Sequence, residues 1–305
     1  MGTPDFASLI LEKLIAWPQG RVAGVVSQPD RRAGRGRTLQ PTTVKKTAQA
    51  NDLPLLQPGQ LQPGPFNDWL EDLQANLLIV AAYGLLVPRR IISAPRYGSL
   101  NVHASLLPKY RGAAPIQRAL INGDSVTGIS IMEMEPGLDT GPILFQRAVG
   151  IDQQDTAQSL HVQLAVLGGE CLLEALENWN DLIRIPQDPT LASYAPKLSR
   201  EEGLIDWDRP ADEVHNRIRG VHPRPGAYFF WSHPRRGDPI RLGIFPGRIG
   251  GKIETPVEPG QVVDLKQGAL RISCQDRFYL IDTIRPASSK AMSGSEFFRG
   301  YCQDL

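Results

Sequence analysis

The sequence predicts an α/β chain, with a mostly parallel sheet domain followed by a small β-barrel domain. Three observations predict it. In the first half, continuous apolar runs at 21–27 (RVAGVVS) and 77–83 (LLIVAAY) alternate with helical spacings, as strands buried on both faces of a parallel sheet do. A connector rich in Pro, Asp and Ser follows at 181–203. Beyond residue 204 come short β-runs broken by Gly and Pro, at 226–231, 240–245, 261–265, 269–274 and 277–284. Short strands at regular spacing suggest a small barrel. The expected boundaries are 1–181 for the sheet domain, 182–203 for the linker and 204–305 for the barrel.

Composition narrows the function classes. The 305 residues are 41% hydrophobic and 21% charged, with a net charge of +1. No overall field points to nucleic acid, so any such partner must meet a local patch. Cys171, Cys274 and Cys302 form no CxxC pair. A disulfide framework or zinc knuckle is not expected, and a reducing cytoplasm fits. No signal peptide is expected from the start as it reads, and no window approaches 18 uninterrupted apolar residues. No metal is expected.

The elements follow in order. Thr3 suits an N-cap and Pro4 the first helical position. Phe6, Leu9, Ile10 and Leu14 continue at helical spacing. An α/β chain leads one to expect a strand ahead of this helix, where the given sequence has only Met1 to Thr3, so unpaired edges are expected there. Residues 28–46 (QPDRRAGRGRTLQPTTVKK) look like a long mobile loop. Arg31, Arg32, Arg35, Arg37, Lys45 and Lys46 there face only Asp30, a local balance of +5. The loop is either a solvated charged face or an anion-binding arm, since clustered arginines suit phosphates. A helix at 66–73 precedes the 77–83 strand. The next strand, 98–103, ends in Asn101 and His103. A helix at 113–122 and strands at 127–134 and 142–149 follow. Asp155 or Thr156 can cap a helix running to Trp179, with a stripe of Leu160, Leu164, Leu167, Cys171 and Ala175. A short helix at 210–219 opens the second domain.

Asn101, His103 and Asp139 form the candidate site. Asn101 and His103 lie two apart on a strand end, so their side chains share a face. Asp139 sits in the loop EPGLDTG after a later strand. If both strands are parallel, both ends reach the edge where open α/β sheets bind ligands. A carboxylate orients an imidazole, and an amide can donate to a developing oxyanion. The trio has the parts for acyl transfer with a nucleophile from the substrate. Such residues are also ordinary turn and cap residues, so the trio alone decides nothing. Gly34-Arg35-Gly36 is no dinucleotide fingerprint, and His215, His222 and His233 lack metal-ligand spacing. Tyr228, Phe229, Phe230 and Trp231 fit barrel core better than a stacking platform.

The segments NVHASLLPKYRGAAPIQ at 101–117 and GLDTG at 137–141 resemble the folate-dependent formyltransferases. MGTPDFA, QPDRRAGRGR, AAYGLLVP, YAPKLSREEGLIDW and KAMSGSEFFRG are most similar to the branch whose acceptor is methionyl-tRNA, and the resemblance runs along essentially the whole chain. It implies a Rossmann-like sheet domain, an OB-like barrel, and 10-formyltetrahydrofolate as co-substrate. Asn101 and His103 would stabilise the oxyanion, and Asp139 would orient and charge His103. Ser105, Leu106, Leu107 and Pro108 would line the folate site. The amine of methionine on initiator tRNA would be the nucleophile, and Arg31, Arg32, Arg35 and Arg37 would contact the tRNA. A cytoplasmic monomer with no membrane partner is expected. A different acceptor, or an RNA-binding module with an inactive site, remain the competing readings.

Overall fold

In the computed structural model, strands Leu78–Val80, Ser99–His103, Val126–Glu133 and Ile143–Gly150 form a four-stranded sheet in that order. Residues 1–33, 36, 38–233 and 236–302 are described. The chain divides into two units. The first holds Met1–Pro115, Val126–Gly150 and His161–Pro196, and the second Ile116–Ser125, Ile151–Leu160 and Lys197–Leu305. Residues 182–196, read from sequence as linker, therefore lie with the first unit.

The first pair of the sheet is parallel, with Ile79 opposite Leu100. The next two pairs are antiparallel, with Asn101 opposite Met132 and His103 opposite Ser130. A second, parallel pair joins Val25–Val26 to Leu55–Leu56. The two leaves meet at Met1 and Gly2. Gly2 N donates to Val26 O at 2.9 Å, and Ala81 N donates to Met1 O at 2.9 Å. Met1 N donates to Ile79 O at 2.5 Å. Burial pushes this terminal amine down to a pKa of about 5. Beyond the junction a cavity of about 470 Å³ separates the leaves, lined by Leu11, Leu14, Val22, Trp69, Leu73 and Leu77 among others.

Helices cover the leaves because their apolar residues recur on one side. Asp5–Ala16 buries Phe6, Ile10 and Leu11. It starts one residue later than the sequence suggests, and Thr3 does not cap it. The Thr3 hydroxyl instead donates to Tyr83 O at 3.1 Å, a tertiary acceptor displacing a local one. Pro63–Asp72 contributes Phe66 and Leu70 to a cluster with Val26, Leu78, Val80, Tyr83 and Ile91. Ala157–Glu177 is the one described helix long and apolar enough to cross a membrane. Its stripe is buried within the protein, with Leu160, Leu164, Cys171 and Ala175 at 0% exposure.

The 28–46 stretch is more ordered than a mobile loop. Arg31–Ala33 pairs antiparallel with Thr38–Gln40. Thr42 then caps the helix Thr43–Ala50 by accepting from Lys45 N at 3.1 Å.

The second unit has two four-stranded antiparallel sheets. One orders Ala227–His233, Arg236–Ile244, Thr283–Pro286 and Met292–Ser293. The other orders Arg248–Lys252, Arg277–Ile281, Ala269–Ser273 and Val262–Lys266. Trp207, Phe229, Trp231, Leu242, Leu270, Tyr279 and Phe297 share their core. Phe229 and Trp231 thus pack inward as expected, whereas Phe230 is 57% exposed. The sequence run 277–284 splits into two strands at Asp282. A C-terminal helix, Gly294–Tyr301, starts from a Ser293/Glu296 capping box.

Candidate active site

The Ser99–His103 strand carries Asn101 and His103 on one face. An open α/β sheet leads one to expect a parallel strand before Asp139. That strand is antiparallel, and it ends beside Leu100, with Met134 N donating to Ser99 O. The loop 135–141 instead folds back along the sheet and delivers Asp139 to the same two side chains. Asp139 takes up φ +54°, a left-handed conformation that Asp tolerates better than most residues.

Asp139 then gathers three groups. Asn101 Nδ2 donates to its Oδ1 at 3.2 Å. Gly112 N donates to its Oδ2 at 2.8 Å. His103 Nδ1 lies 3.7 Å from Oδ2, an ion-pair distance rather than a hydrogen bond. His103 is buried, and its Nε2 lies 2.9 Å from Tyr110 O. A carbonyl can only accept, so this contact puts a proton on Nε2. A second imidazole proton, on Nδ1, would face the carboxylate. Asn101 Nδ2 has two hydrogens; one goes to Asp139, and the other can meet a developing negative charge. Gly112 sits at φ +119°, where a Cβ would lie 2.8 Å from Ala195 O. Glycine there lets the chain turn its N–H onto Asp139.

The loop 105–108 is built from within. Ser105 and Leu107 are buried. Ser105 Oγ donates to Lys109 O at 2.7 Å, and Leu107 packs on Met132 and Ile143. Leu106 and Pro108 are the partly exposed members. Ser130, wholly buried, anchors the loop. Its hydroxyl accepts from Leu107 N at 3.0 Å and donates to Ser105 O at 2.6 Å. Gln146 Nε2 reaches both Ser130 Oγ, at 2.7 Å, and Leu107 O, at 2.9 Å.

Residues 185–195 hold the loops around the site, which sequence reasoning missed. Ser193 Oγ accepts from Tyr110 N, and Ser193 O accepts from Arg111 N, both at 2.9 Å. Tyr194–Ala195 pairs in parallel with Arg111–Gly112. Gln187 connects Arg111 to the Asp139 loop. The only sequence signal was the YAP of 194–196, carried by resemblance rather than by pattern.

The expected arginine group stands apart from the trio in the sequence. Arg31 and Arg32 are exposed on the hairpin strand, with Arg31 donating to Gln28 Oε1. Arg35 and Arg37 lie outside the described residues. Lys45 is tied to Asp30 at 2.6 Å; that bond, with one from Gln57, holds the Asp30 carboxyl below its usual range. The three cysteines are free and buried. Burial raises their pKa values, to about 11 for Cys171 and Cys302 and about 12 for Cys274, so none is a ready thiolate nucleophile. No group of three potential metal-ligating side chains occurs among the described residues.

The sequence profile described as Formyl transferase matches residues 1–176, and that of the Formyl transferase C-terminal domain matches 197–302. The chain belongs to the formyl transferase family. A relative from Nitratidesulfovibrio vulgaris, a methionyl-tRNA formyltransferase, is 48% identical over 303 residues, 99% of this chain and 92% of its own length. A protein of the same name from Acidithiobacillus ferrooxidans is 42% identical over 98% of this chain and 94% of its own. Among solved structures, a Helicobacter canadensis N-formyltransferase in complex with folinic acid and dTDP-3-aminofucose superposes with TM-score 0.64. It is 17% identical and covers 95% of this chain and 97% of its own. At that identity the likeness speaks to the fold alone. The formyl transferase fold therefore spans both units of this chain, and Asn101, His103 and Asp139 lie within the matched first profile.

Proposed function

We propose that the chain transfers the formyl group of 10-formyltetrahydrofolate to the amino group of methionine on initiator tRNA. The carrying observation is the convergence of Asn101, His103 and Gly112 N on Asp139. The full-length similarity to methionyl-tRNA formyltransferases supports the acceptor.

In this reading the acceptor amine attacks the formyl carbon, and negative charge grows on the formyl oxygen. The second hydrogen of Asn101 Nδ2 stabilises that charge, and His103 joins it when Nε2 turns its proton from Tyr110 O to the formyl oxygen. Asp139 fixes Asn101 through Oδ1 and lies 3.7 Å from Nδ1 of His103, orienting the ring. Gly112 N keeps the carboxylate from rotating. The 105–108 loop, anchored by Ser130, lines the folate side through Leu106 and Pro108. Arg31, Arg32, Arg35 and Arg37 neutralise tRNA phosphates, which makes acceptor binding salt-sensitive. A single chain carries every residue of the trio, and we propose a monomer acting in the cytoplasm, where its free thiols persist.

The test is formyl transfer from 10-formyltetrahydrofolate to charged initiator tRNA by the purified chain. Formylated methionyl-tRNA is the expected product. Binding of the folate without transfer to methionyl-tRNA would retire the acceptor assignment.

A further inference from the structure

Gln187 lies in a stretch that is otherwise exposed. Pro186 and Asp188 on either side face solvent, yet Gln187 turns inward and is half-buried. All four hydrogen-bonding positions of its amide are used. Oε1 accepts from Arg111 Nε at 3.0 Å and from Arg111 Nη2 at 2.8 Å. Nε2 donates to Asp139 O at 2.9 Å and to Gly141 O at 2.7 Å. Guanidinium on one side and two carbonyls on the other leave one orientation of the amide that works.

This places one side chain across both loops that make the site. The Arg111 loop supplies Gly112 N to the Asp139 carboxylate, and the Asp139 loop supplies the carboxylate. Asp139 itself is held at φ +54°, a conformation that is kept when surrounding contacts over-determine it. The Gln187 bonds to Asp139 O and Gly141 O are such contacts, one at Asp139 itself and one two residues on. The neighbouring attachments at Ser193 and Ala195 reach the 108–114 side.

We infer that Gln187 is a positioning residue for Asp139: it clamps the 139–141 backbone to Arg111 and so sets the carboxylate against Asn101, His103 and Gly112. This rests on the trio reading given above. Gln187 touches no reacting atom, and its effect is to run through Asp139. Small misplacements of a catalytic group cost up to about a hundredfold in rate.

The experiment is a double-mutant cycle on the full chain, measuring formyl transfer to methionyl-tRNA. Gln187→Ala is expected to lower kcat by about tenfold to a hundredfold. KM for both substrates should stay within about threefold and Tm within a few degrees, since the fold does not depend on this residue. In an Asp139→Asn background, Gln187→Ala should lower kcat by less than about threefold further, because residues acting as a unit are not additive. A normal kcat for Gln187→Ala, or a full extra loss in the Asp139→Asn background, overturns the inference. If Gln187→Ala fails to fold, Gln187→Glu decides. It keeps the shape and the Arg111 contacts but removes both donations, so near-normal turnover overturns the clamp and a tenfold loss supports it. Normal turnover of Asp139→Asn alone overturns the trio reading, and the clamp with it.

Discussion

Asp139 and Gly112 are joined by a 2.8 Å bond from the backbone N–H to Oδ2, while Oδ1 takes Asn101. Both oxygens are acceptors, so an amide cannot replace the carboxylate without turning an NH₂ toward a donor. Asp139→Asn is therefore expected to lower kcat by two orders of magnitude or more, the usual range for a group that manages protons or charge. Tm should change little, because the side chain is only partly buried. Steady-state kinetics and thermal melting on the same preparation check both halves.

His103→Ala should cut turnover by orders of magnitude while the chain stays folded. The substitution removes the imidazole and leaves Tyr110 O without its 2.9 Å partner. A modest loss of stability is expected from that lost hydrogen bond, about 1–3 kcal/mol at most. Near-normal turnover would remove His103 from the mechanism.

Ser130 tests the folate side. Its hydroxyl bonds Ser105 O and Leu107 N, and takes a third bond from Gln146 Nε2. Ser130→Ala leaves the Leu107 N–H and the Ser105 carbonyl without that partner in a buried site, at a cost of about 1–3 kcal/mol. KM for 10-formyltetrahydrofolate should rise while KM for methionyl-tRNA holds. Equal rises in both would detach the 105–108 loop from folate binding.

Arg35→Ala is expected to weaken methionyl-tRNA use more than folate use, and to flatten the salt dependence of the tRNA KM. An unchanged tRNA KM at physiological salt would retire the arginine arm.

Acid should destabilise the chain through its histidines. Burial lowers the pKa of His215, His161 and His222 from the ordinary 6.5. His215 is held neutral by geometry as well, its Nε2 donating to Gln153 O at 2.8 Å and its Nδ1 lying 3.1 Å from the Tyr279 hydroxyl. As pH falls through about 6.5, the unfolded chain takes up protons that the folded chain does not. Stability present above that pH is lost on acidification, until the folded imidazoles also protonate. Melting at pH 7.5 and 5.5 should show the drop, and His215→Gln should shrink it.

Much of the site was legible because its residues follow local rules. The alternation of Leu100 and Val102 gave the strand, and the Pro and Gly of 135–141 gave the loop bearing Asp139. The direction of the strand before that loop was not legible, since period-two patterning is the same for parallel and antiparallel partners. Gln187 was hidden for a different reason. Its four bonds reach 46 to 76 residues along the chain, and a Pro- and Asp-rich stretch has no periodicity that would mark a buried amide. The pairing of Arg31–Ala33 with Thr38–Gln40 was missed because such short, arginine-bearing runs show no apolar alternation. The C-terminal helix did leave a signal, the Ser293-x-x-Glu296 capping box, in a segment read only for its resemblance.

The seam between the two leaves of the first unit is sewn at one end. Met1, Gly2, Thr3 and Gln28 bridge it beside Val26, Ile79, Ala81 and Tyr83, at the carboxyl ends of the strands. The cavity is lined by residues 20–24 and 74–78 at the amino ends and extends to Met1, Gly2, Val26 and Ala81 at the sewn end. Spontaneous opening is easiest where backbone contacts are fewest, so breathing concentrates at the edge away from Asn101 and His103. Amide protons at 22–24 and at Leu77 should exchange with solvent well before those at 100–103. Looseness and chemistry thus occupy opposite rims of the same sheet.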